Sequence, residues 1–342
     1  MNKGVSVIIC CYNSEKLIEA ALEALASQVV DATIDWEVIV VDNNCTDQTV
    51  QTAKAFWSST NNKQTLQVVQ EPAPGLSNAR LRGIDTAHYE YIIFCDDDNR
   101  FGPNYLQRAY ALLDSNPLIG AAGGRSEIEA DYDIPFWFNS YRANFAVGVQ
   151  HTHSGFLEER KHVWGAGMVT RKSVIQNLLK SGFTFNCSDR KGTDVTSGGD
   201  SEICRWLLLV GYKLWYDEDL FYTHAIPQNR LTKEYFTRLR AGFKTAYYEL
   251  RMYDLAQEYF NLYYDRPKQL RILRFQSVMS ICWFRFFNKS EYAENRFLLQ
   301  RLFPKTNRFV VHKKYQNIIN ATRYYLKEFN TLKGVSDSKR VN

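Results

Sequence analysis

Asp96-Asp97-Asp98-Asn99 follows directly on the apolar run Tyr91-Ile92-Ile93-Phe94-Cys95. Three adjacent carboxylates repel one another, and a divalent cation turns that repulsion into a binding site. Carboxylate oxygens are hard ligands, suited to Mg²⁺ or Mn²⁺ held by one or two of them together with phosphate oxygens. A solvated acidic turn is the account of the run that needs no chemistry. An EF-hand loop is disfavoured, because Arg100 stands where an oxygen ligand is expected and neither the glycine nor the closing glutamate falls in place. A second acidic turn, Asp42-Asn43-Asn44-Cys45-Thr46-Asp47, follows the run Trp36 to Val41. Asp42 could accept the N–H of a pyrimidine or a ribose hydroxyl; for Asp47, local turn and capping bonds are the better account.

These carboxylates need a scaffold, and the first third of the chain supplies one. Val5 to Cys10, Trp36 to Val41, Leu66 to Val69 and Tyr91 to Cys95 read as buried strands whose near-continuous apolar character suits a parallel sheet covered on both faces. Between them Leu17, Ile18, Ala21, Leu22 and Leu25 recur at helical spacing, as do Val50, Ala53 and Trp57. This is βαβαβ, hence an α/β fold in which ligands gather at the carboxyl ends of the strands. The first strand runs into Cys11-Tyr12-Asn13-Ser14-Glu15 rather than a Gly-x-Gly-x-x-Gly turn, which argues against a dinucleotide-binding domain. Pro103 opens a helical pattern continued by Tyr105, Leu106, Ala109, Leu112 and Leu113. Ser126 to His162 reads as a long irregular binding loop, Val163 to Thr170 as a strand, and Asp200 to Leu209 as a helix. From Lys233 the pattern is helical, with the boundary near Ile226 to Leu231 and a frayed tail from Gly334.

Composition excludes a disordered or fibrous chain: of 342 residues, 45% are hydrophobic and 23% charged. The net charge of +5 is an average of two unlike parts. Met1 to Ala225 carries 19 basic and 28 acidic residues, a net −9, whereas Ile226 to Asn342 carries 23 and 9, a net +14. That second part also holds 23 of the 49 Phe, Tyr and Trp residues. Seven cysteines without a CxxC pair read as reduced thiols of a cytoplasmic protein. No signal peptide is expected, and the apolar stretch Val278 to Phe287, broken by Arg285, is too short to span a bilayer.

Taken in order, Val5-Ser6-Val7-Ile8-Ile9-Cys10-Cys11-Tyr12-Asn13, Val41-Asp42-Asn43-Asn44-Cys45-Thr46-Asp47, Pro74-Gly75-Leu76-Ser77-Asn78-Ala79-Arg80 and Asp96-Asp97-Asp98 resemble a family 2 glycosyltransferase with the GT-A fold. The resemblance runs from about Lys3 to Ile226, and the order and spacing of the motifs make it far more specific than any one of them. It implies an inverting transferase dependent on a nucleotide sugar and a divalent metal. By position, Tyr12, Asn13 and Glu15 would lie along the base and ribose, Asp42 would meet the base, Arg80 would sit near the nucleotide and Asp97 near the ribose. Asp98 would be the chief metal ligand, with Asp96 beside it and His224 as a further contact. Asp200 matches the family's general base, with Glu202 as the neighbouring alternative and helix capping as the competing account. Trp164, Gly165, Ala166 and Gly167 resemble the small-residue segment beneath donor sugar and acceptor, although a glycine-rich bend in a strand would look the same. Arg230, Arg238 and Arg240 could reach the diphosphate or an anionic acceptor, or form a solvated helical face. Two positions depart from the common pattern: Asn43 replaces a second acid after the second strand, and Gly199-Asp200 stands for a Glu-Asp pair.

The expected architecture is therefore a mixed, mostly parallel GT-A sheet with helices on both faces over residues 1–228. Its nucleotide-binding half is 1–100 and its acceptor and catalytic half 101–228. A basic aromatic helical region, 229–333, and a flexible tail, 334–342, follow. Stretches such as Leu270 to Phe275 and Cys282 to Phe287 pair arginine with aromatics, which suits a peripheral contact with an anionic membrane face, a lipid-linked saccharide acceptor, or a helical subdomain that pairs in a homodimer. Bacterial-type surface polysaccharide or glycoconjugate synthesis at the inner face of the membrane would use such equipment, with UDP the default carrier. A nucleotidyltransferase would share the acidic metal site but release diphosphate. A non-catalytic nucleic-acid module would need a recognised binding motif in the basic part, and none is present, so nucleic acid is not an expected partner.

Overall fold

The computed structural model describes residues 2–190, 196–275 and 313–329. The alternation expected from the sequence runs through its first half: β1 (Asn2–Cys11), α1 (Ile18–Ala26), β2 (Trp36–Asp42), α2 (Thr49–Ser59), β3 (Leu66–Gln70), α3 (Leu76–Thr86) and β4 (Tyr89–Cys95). Every residue of β2 is buried, and β1 is buried from Val5 to Ile9, because both strands lie inside the sheet with helices on each side. β1 pairs in parallel with β2 and β4, and β2 with β3. Each helix turns one stripe inward: Ile18, Ala21, Leu22 and Leu25 on α1, Ala79, Gly83 and Ile84 on α3. Gly83 allows α3 its close approach, since a Cβ there would overlap Ile8.

The second half completes one mixed sheet. β5 (Asn99–Phe101), α4 (Tyr105–Ser115), β6 (Ile119–Glu129), the short α5 (Phe138–Tyr141), β7 (Gly155–Phe156), β8 (Val169–Arg171), α6 (Lys172–Lys180), α7 (Gly199–Leu209) and β9 (Lys213–Ala225) follow in order. The strands run β3-β2-β1-β4-β8-β6-β9-β5, with β7 against β9. β8 is antiparallel to both β4 and β6, β5 is antiparallel to β9, and β6 and β9 are parallel. Two apolar layers, one on each face of the sheet, form the core.

Three local expectations are corrected. Val163 to Thr170 is not one strand: Trp164 to Met168 is a turn, with Gly167 at φ +72°, and pairing begins only at Val169. The irregular stretch does not begin at Ser126, because β6 continues to Glu129; its glycines masked the strand. Pro103 lies two residues ahead of α4 rather than in its first turn.

Beyond a short 3₁₀ turn at Gln228–Arg230, α8 (Lys233–Asp265) starts behind the capping hydroxyl of Thr232, which accepts from Tyr235 N–H. Met252, Tyr253, Leu255, Ala256, Tyr259 and Phe260 on α8 join the same apolar layer as Ile203 and Trp206 of α7. α9 (Lys313–Glu328) adds Tyr315, Ile318, Ile319 and Tyr325 to it. The described part of the basic region is thus packed against α7, while Tyr247, Tyr248, Ile272 and Phe275 stay exposed. The motif Cys282 to Phe287 and the tail from Gly334 lie outside the described residues. Among the described residues no helix is long and apolar enough to cross a membrane.

The β6–β9 pair carries the acidic turn's partners, and it depends on Gly124, where the register shifts between Gly123 and Arg125. A Cβ there would overlap the backbone oxygen of Leu220, which cannot rotate away. Gly124→Ala is expected to lower stability by about 3 kcal/mol, read as a fall in the urea midpoint at unchanged m-value.

Candidate active site

The acidic run leaves β4 in a tight turn closed by Asn99. Asn99 donates its backbone N–H to the Asp96 carbonyl (3.0 Å), accepts the Asp96 N–H on Oδ1 (3.1 Å), and donates Nδ2–H to Asp98 Oδ1 (3.2 Å). β5 and β9 pair at Asn99 and His224, and Ala225 N–H reaches the Asp98 carbonyl at 2.8 Å. The end of β9 is thereby pinned against the carboxylates. Asp98 is 2% exposed; its Oδ2 accepts from Arg230 Nη1 at 2.8 Å and faces His224 Nε2 at 3.4 Å.

Electrostatics divides the triplet. Burial alone would raise the Asp98 carboxyl, but His224 and Arg230 override it and hold Asp98 well below the usual carboxylate range. Burial, reinforced by the Asp98 charge, pushes neighbouring Asp97 up to about 7 although it accepts a hydrogen bond from the Ser14 hydroxyl. Burial and Asp98 raise Asp96 as well, against Arg80 and Arg190. Two of the three carboxyls are thus pushed toward their protonated forms, a tendency that a further cation would oppose.

A cleft of about 470 Å³ opens beside this turn, and Asp96, His224, Arg230, Arg80, Trp164 and Asp200 are among the residues that line it. Asp200 stands in the first turn of α7, two residues beyond the cap Gly198. Its Oδ2 accepts Gly165 N–H at 2.8 Å and its Oδ1 accepts Ser201 N–H at 2.6 Å. Gly165 has no room for a side chain, because a Cβ would stand 2.6 Å from Arg80 Nη2 and 3.1 Å from Asp200 Cβ. The small-residue segment Gly165, Ala166 and Gly167 is locked to the sheet by Gly167 N–H on the Phe94 carbonyl (2.9 Å) and by Tyr105 OH on the Gly167 carbonyl (2.5 Å). Glu202, in contrast, is fully buried and is not among the cleft residues. It accepts the N–H groups of Asn186 (2.7 Å) and Cys187 (3.0 Å) and the Tyr253 hydroxyl, tying α8 to the segment behind α6.

Tyr12, Asn13, Glu15 and Asp42 gather at the carboxyl ends of β1 and β2, adjoining the acidic turn through Ser14 but outside the cleft lining. Tyr12 is half exposed. Asn13, at φ +56°, accepts Thr46 N–H at 2.7 Å, Glu15 accepts Gln48 N–H at 2.9 Å, and Asp42 Oδ1 accepts Cys45 N–H at 2.8 Å. Asp47 makes the local bond expected of it, to Thr49 N–H, and also accepts Glu15 N–H from the turn after β1. Asn43 has a use no carboxylate could meet: its Nδ2 donates to the Glu71 and Ala73 carbonyls while Oδ1 accepts Gly75 N–H, holding the loop that starts α3.

Two cleft residues, Asp189 and Arg190, escaped sequence reasoning, since they stand in an aperiodic stretch after α6. Asp189 pairs with Arg80 (3.4 Å) across 109 residues of chain, so Arg80 is engaged within the wall of the cleft. Arg190 faces Asp96 and Asp98 with its charge.

Among the described residues no group of three or more His, Cys, Asp or Glu forms a ready-made metal cage. The donors present suit a partial one. Asp98 Oδ2 and His224 Nε2 converge to 3.4 Å, and His224 Nδ1 is buried without a hydrogen-bond partner among the described residues. One carboxylate and an imidazole, completed by phosphate oxygens, fit Mn²⁺ or Mg²⁺ once Arg230 yields the shared oxygen.

The family model for glycosyl transferase family 2 matches residues 6–179, just over half of the chain. The chain belongs to that family. AglE of Haloferax volcanii, a glycosyltransferase, is 31% identical over 234 residues, 68% of this chain and 70% of its own length. TarS of Staphylococcus aureus, a poly(ribitol-phosphate) β-N-acetylglucosaminyltransferase, is 34% identical over 111 residues, 32% of this chain. That match spans only 19% of TarS, and the match to EpsH of Bacillus subtilis spans 29% of its length. The crystal structure of TarS superposes with a TM-score of 0.51 at 18% identity, covering 98% of this chain and 55% of TarS, which shows the GT-A-like fold.

The raised carboxyls make stability depend on pH. Unfolded, Asp97 titrates near 3.8, whereas folded it keeps its proton to about pH 7. The folded state binds the extra proton between those values, so the stability present below them is lost as pH rises through that window. In metal-free buffer the melting temperature should therefore fall from pH 5 to pH 8, and Asp97→Asn should flatten the decline; an equal slope in the variant would contradict the assignment.

Proposed function

We propose that this family 2 glycosyltransferase moves a sugar from a UDP-sugar to an acceptor hydroxyl with inversion at the anomeric carbon. Asp98 and Asp96 would be the carboxylates toward the metal, His224 its nitrogen ligand, and Asp200 the general base. The observation that carries the reading is that the acidic turn and the carboxylate of Asp200 face one cleft at the carboxyl edge of the sheet. The UDP-N-acetylglucosamine complex of TarS residues 1–349, which superposes with a TM-score of 0.50 at 17% identity, supports UDP as carrier.

The division of labour follows from charge. When bound, Mn²⁺ or Mg²⁺ supplies Lewis-acid stabilisation to the departing diphosphate. Arg230, 2.8 Å from Asp98 Oδ2, offers its guanidinium to the same phosphates. Asp200 takes the proton of the attacking hydroxyl while Gly165 N–H and Ser201 N–H hold its carboxylate in place. Glu202 is fully buried and stands outside the cleft lining that holds Asp200, so the base role falls to Asp200. Tyr12, Asn13, Glu15, Asp42 and Asp97 would take up base and ribose beside it. The acceptor is proposed to be a saccharide or a lipid-linked saccharide presented at the inner face of the membrane. The exposed Tyr247, which lines the cleft from α8, would then meet it as it enters.

UDP-N-acetylglucosamine with Mn²⁺ should raise the melting temperature, and Asp98→Asn should remove the part of that rise that depends on metal. Asp200→Asn should bind equally well and lose about 10²- to 10⁴-fold in turnover, measured as UDP release. No thermal shift with any nucleoside diphosphate sugar, or full turnover in Asp200→Asn, would contradict the reading.

A further inference from the structure

Arg80 is buried, 5% exposed at its side chain, and its partner Asp189 is 4% exposed. Asp189 Oδ2 accepts from Arg80 Nη1 (3.4 Å) and from the Ser77 hydroxyl (3.2 Å), while its Oδ1 accepts Arg190 N–H (3.1 Å). The guanidinium is fixed from above by the Phe94 ring, 5.3 Å from its centroid. Its other terminal nitrogen, Nη2, lies against Gly165, whose N–H grips Asp200. Asp189, Arg80, Gly165 and Asp200 thus form one contiguous wall.

The other end of the wall is Gly199, the residue before Asp200. A Cβ built on Gly199 would overlap Asp189 Oδ2 and stand 3.2 Å from Ser77 Oγ. The space in front of position 199 is therefore filled by a carboxylate that arrives from another part of the chain. An aspartate at 199 would bring its own oxygen to about the same spot, and an acidic residue in the first turn of a helix is favourable.

We propose that Asp189 is a positioning residue for the transfer: it clamps Arg80, and through Arg80 and Gly165 it sets the placement and charge state of Asp200. The proposal rests on the reading of Asp200 as base. Besides Asp189, the carboxylates of Asp200 and Asp96 act on the Arg80 charge. Pairing with Asp189 restrains it from closing on Asp200 and neutralising the base. The other groups that bear on Asp200 are Arg160, His162 and Cys204. Burial and Arg160 bring His162 down to about 4 and burial pushes Cys204 up to about 12, so both are uncharged near neutral pH. Burial raises the Asp189 carboxyl itself, and the charge of Arg80 opposes that rise.

Asp189→Asn keeps the shape and removes the charge. With UDP-N-acetylglucosamine and Mn²⁺ as probe and UDP release as readout, kcat should fall about tenfold or more, with KM changed by less than about threefold. The acidic limb of the kcat–pH profile should move to lower pH, because Arg80 then favours ionised Asp200 and weakens it as a base. Asp189→Ala combined with Gly199→Asp returns a carboxylate to the same space and should recover most of kcat and the original limb. Gly199→Asp alone crowds two carboxylates together and should lose activity. A kcat for Asp189→Asn within about twofold of the unmodified enzyme, or a loss with an unshifted limb and no rescue, would overturn the proposal. Asp200→Asn measured in parallel separates the two claims: full activity there removes the base, whereas an inactive Asp200→Asn beside an unaffected Asp189→Asn removes Asp189 alone.

Discussion

Asp98 held between His224 and Arg230 is the contact on which the rest of the site depends. A carboxylate 2% exposed is costly unless paired. Here the compensation comes from two elements that must both be in place, the last turn of β9 and the 3₁₀ turn ahead of α8. The pairing fixes where the sheet ends and where the helical region begins. It also gives the uneven charge of the chain a physical meaning. Arg230 is the first basic residue of the +14 part, and it is spent on the acidic turn of the −9 part. Asp96 and Asp97, left with insufficient counter-charge, are pushed toward their protonated forms, which is the condition a diphosphate-bound cation would relieve.

Opposite that turn the cleft is walled by backbone rather than by large side chains. Gly165 has its N–H on the Asp200 carboxylate, and a side chain at that position would crowd the Arg80 guanidinium. The glycines of Trp164 to Gly167 bring the main chain close to a charged network, which is the function such residues serve beneath a ligand. Phe94 of β4 and Tyr105 of α4 anchor the segment, so this wall of the cleft is tied to the strand that ends in the acidic turn.

The readable and the unreadable parts of this protein differ in the range of the contacts involved. β1, β2 and β4 announce themselves because strands buried on both faces are apolar throughout, and the acids that follow them must then stand at a sheet edge. β6 hid behind Gly120, Gly123 and Gly124, whose value lies in close contacts with Tyr212, Val163 and Leu220 that no local pattern records. β8 is three residues long, too short for any periodicity. Asp189 meets Arg80 across 109 positions and belongs to no motif, and the replacement of an acid by Asn43 makes sense only once the Glu71 and Ala73 carbonyls are seen beside it. Composition pointed to the basic, aromatic C-terminal part but not to its partner: Tyr253, Tyr259 and Phe260 of α8 are buried in the layer that α7 also joins, while Tyr247, Tyr248, Tyr263 and Tyr264 are exposed.

The central claim is that one carboxylate, on one side of the donor, directs attack on the anomeric carbon. Proton NMR of the product first formed from a UDP-α-sugar, recorded before mutarotation, tests it most directly. The β anomer is expected at early times, from transfer or from hydrolysis alike. An α anomer appearing first would contradict it, because retention needs two successive displacements or attack on the face the diphosphate leaves, and neither is the single opposite-face attack that Asp200 is proposed to assist.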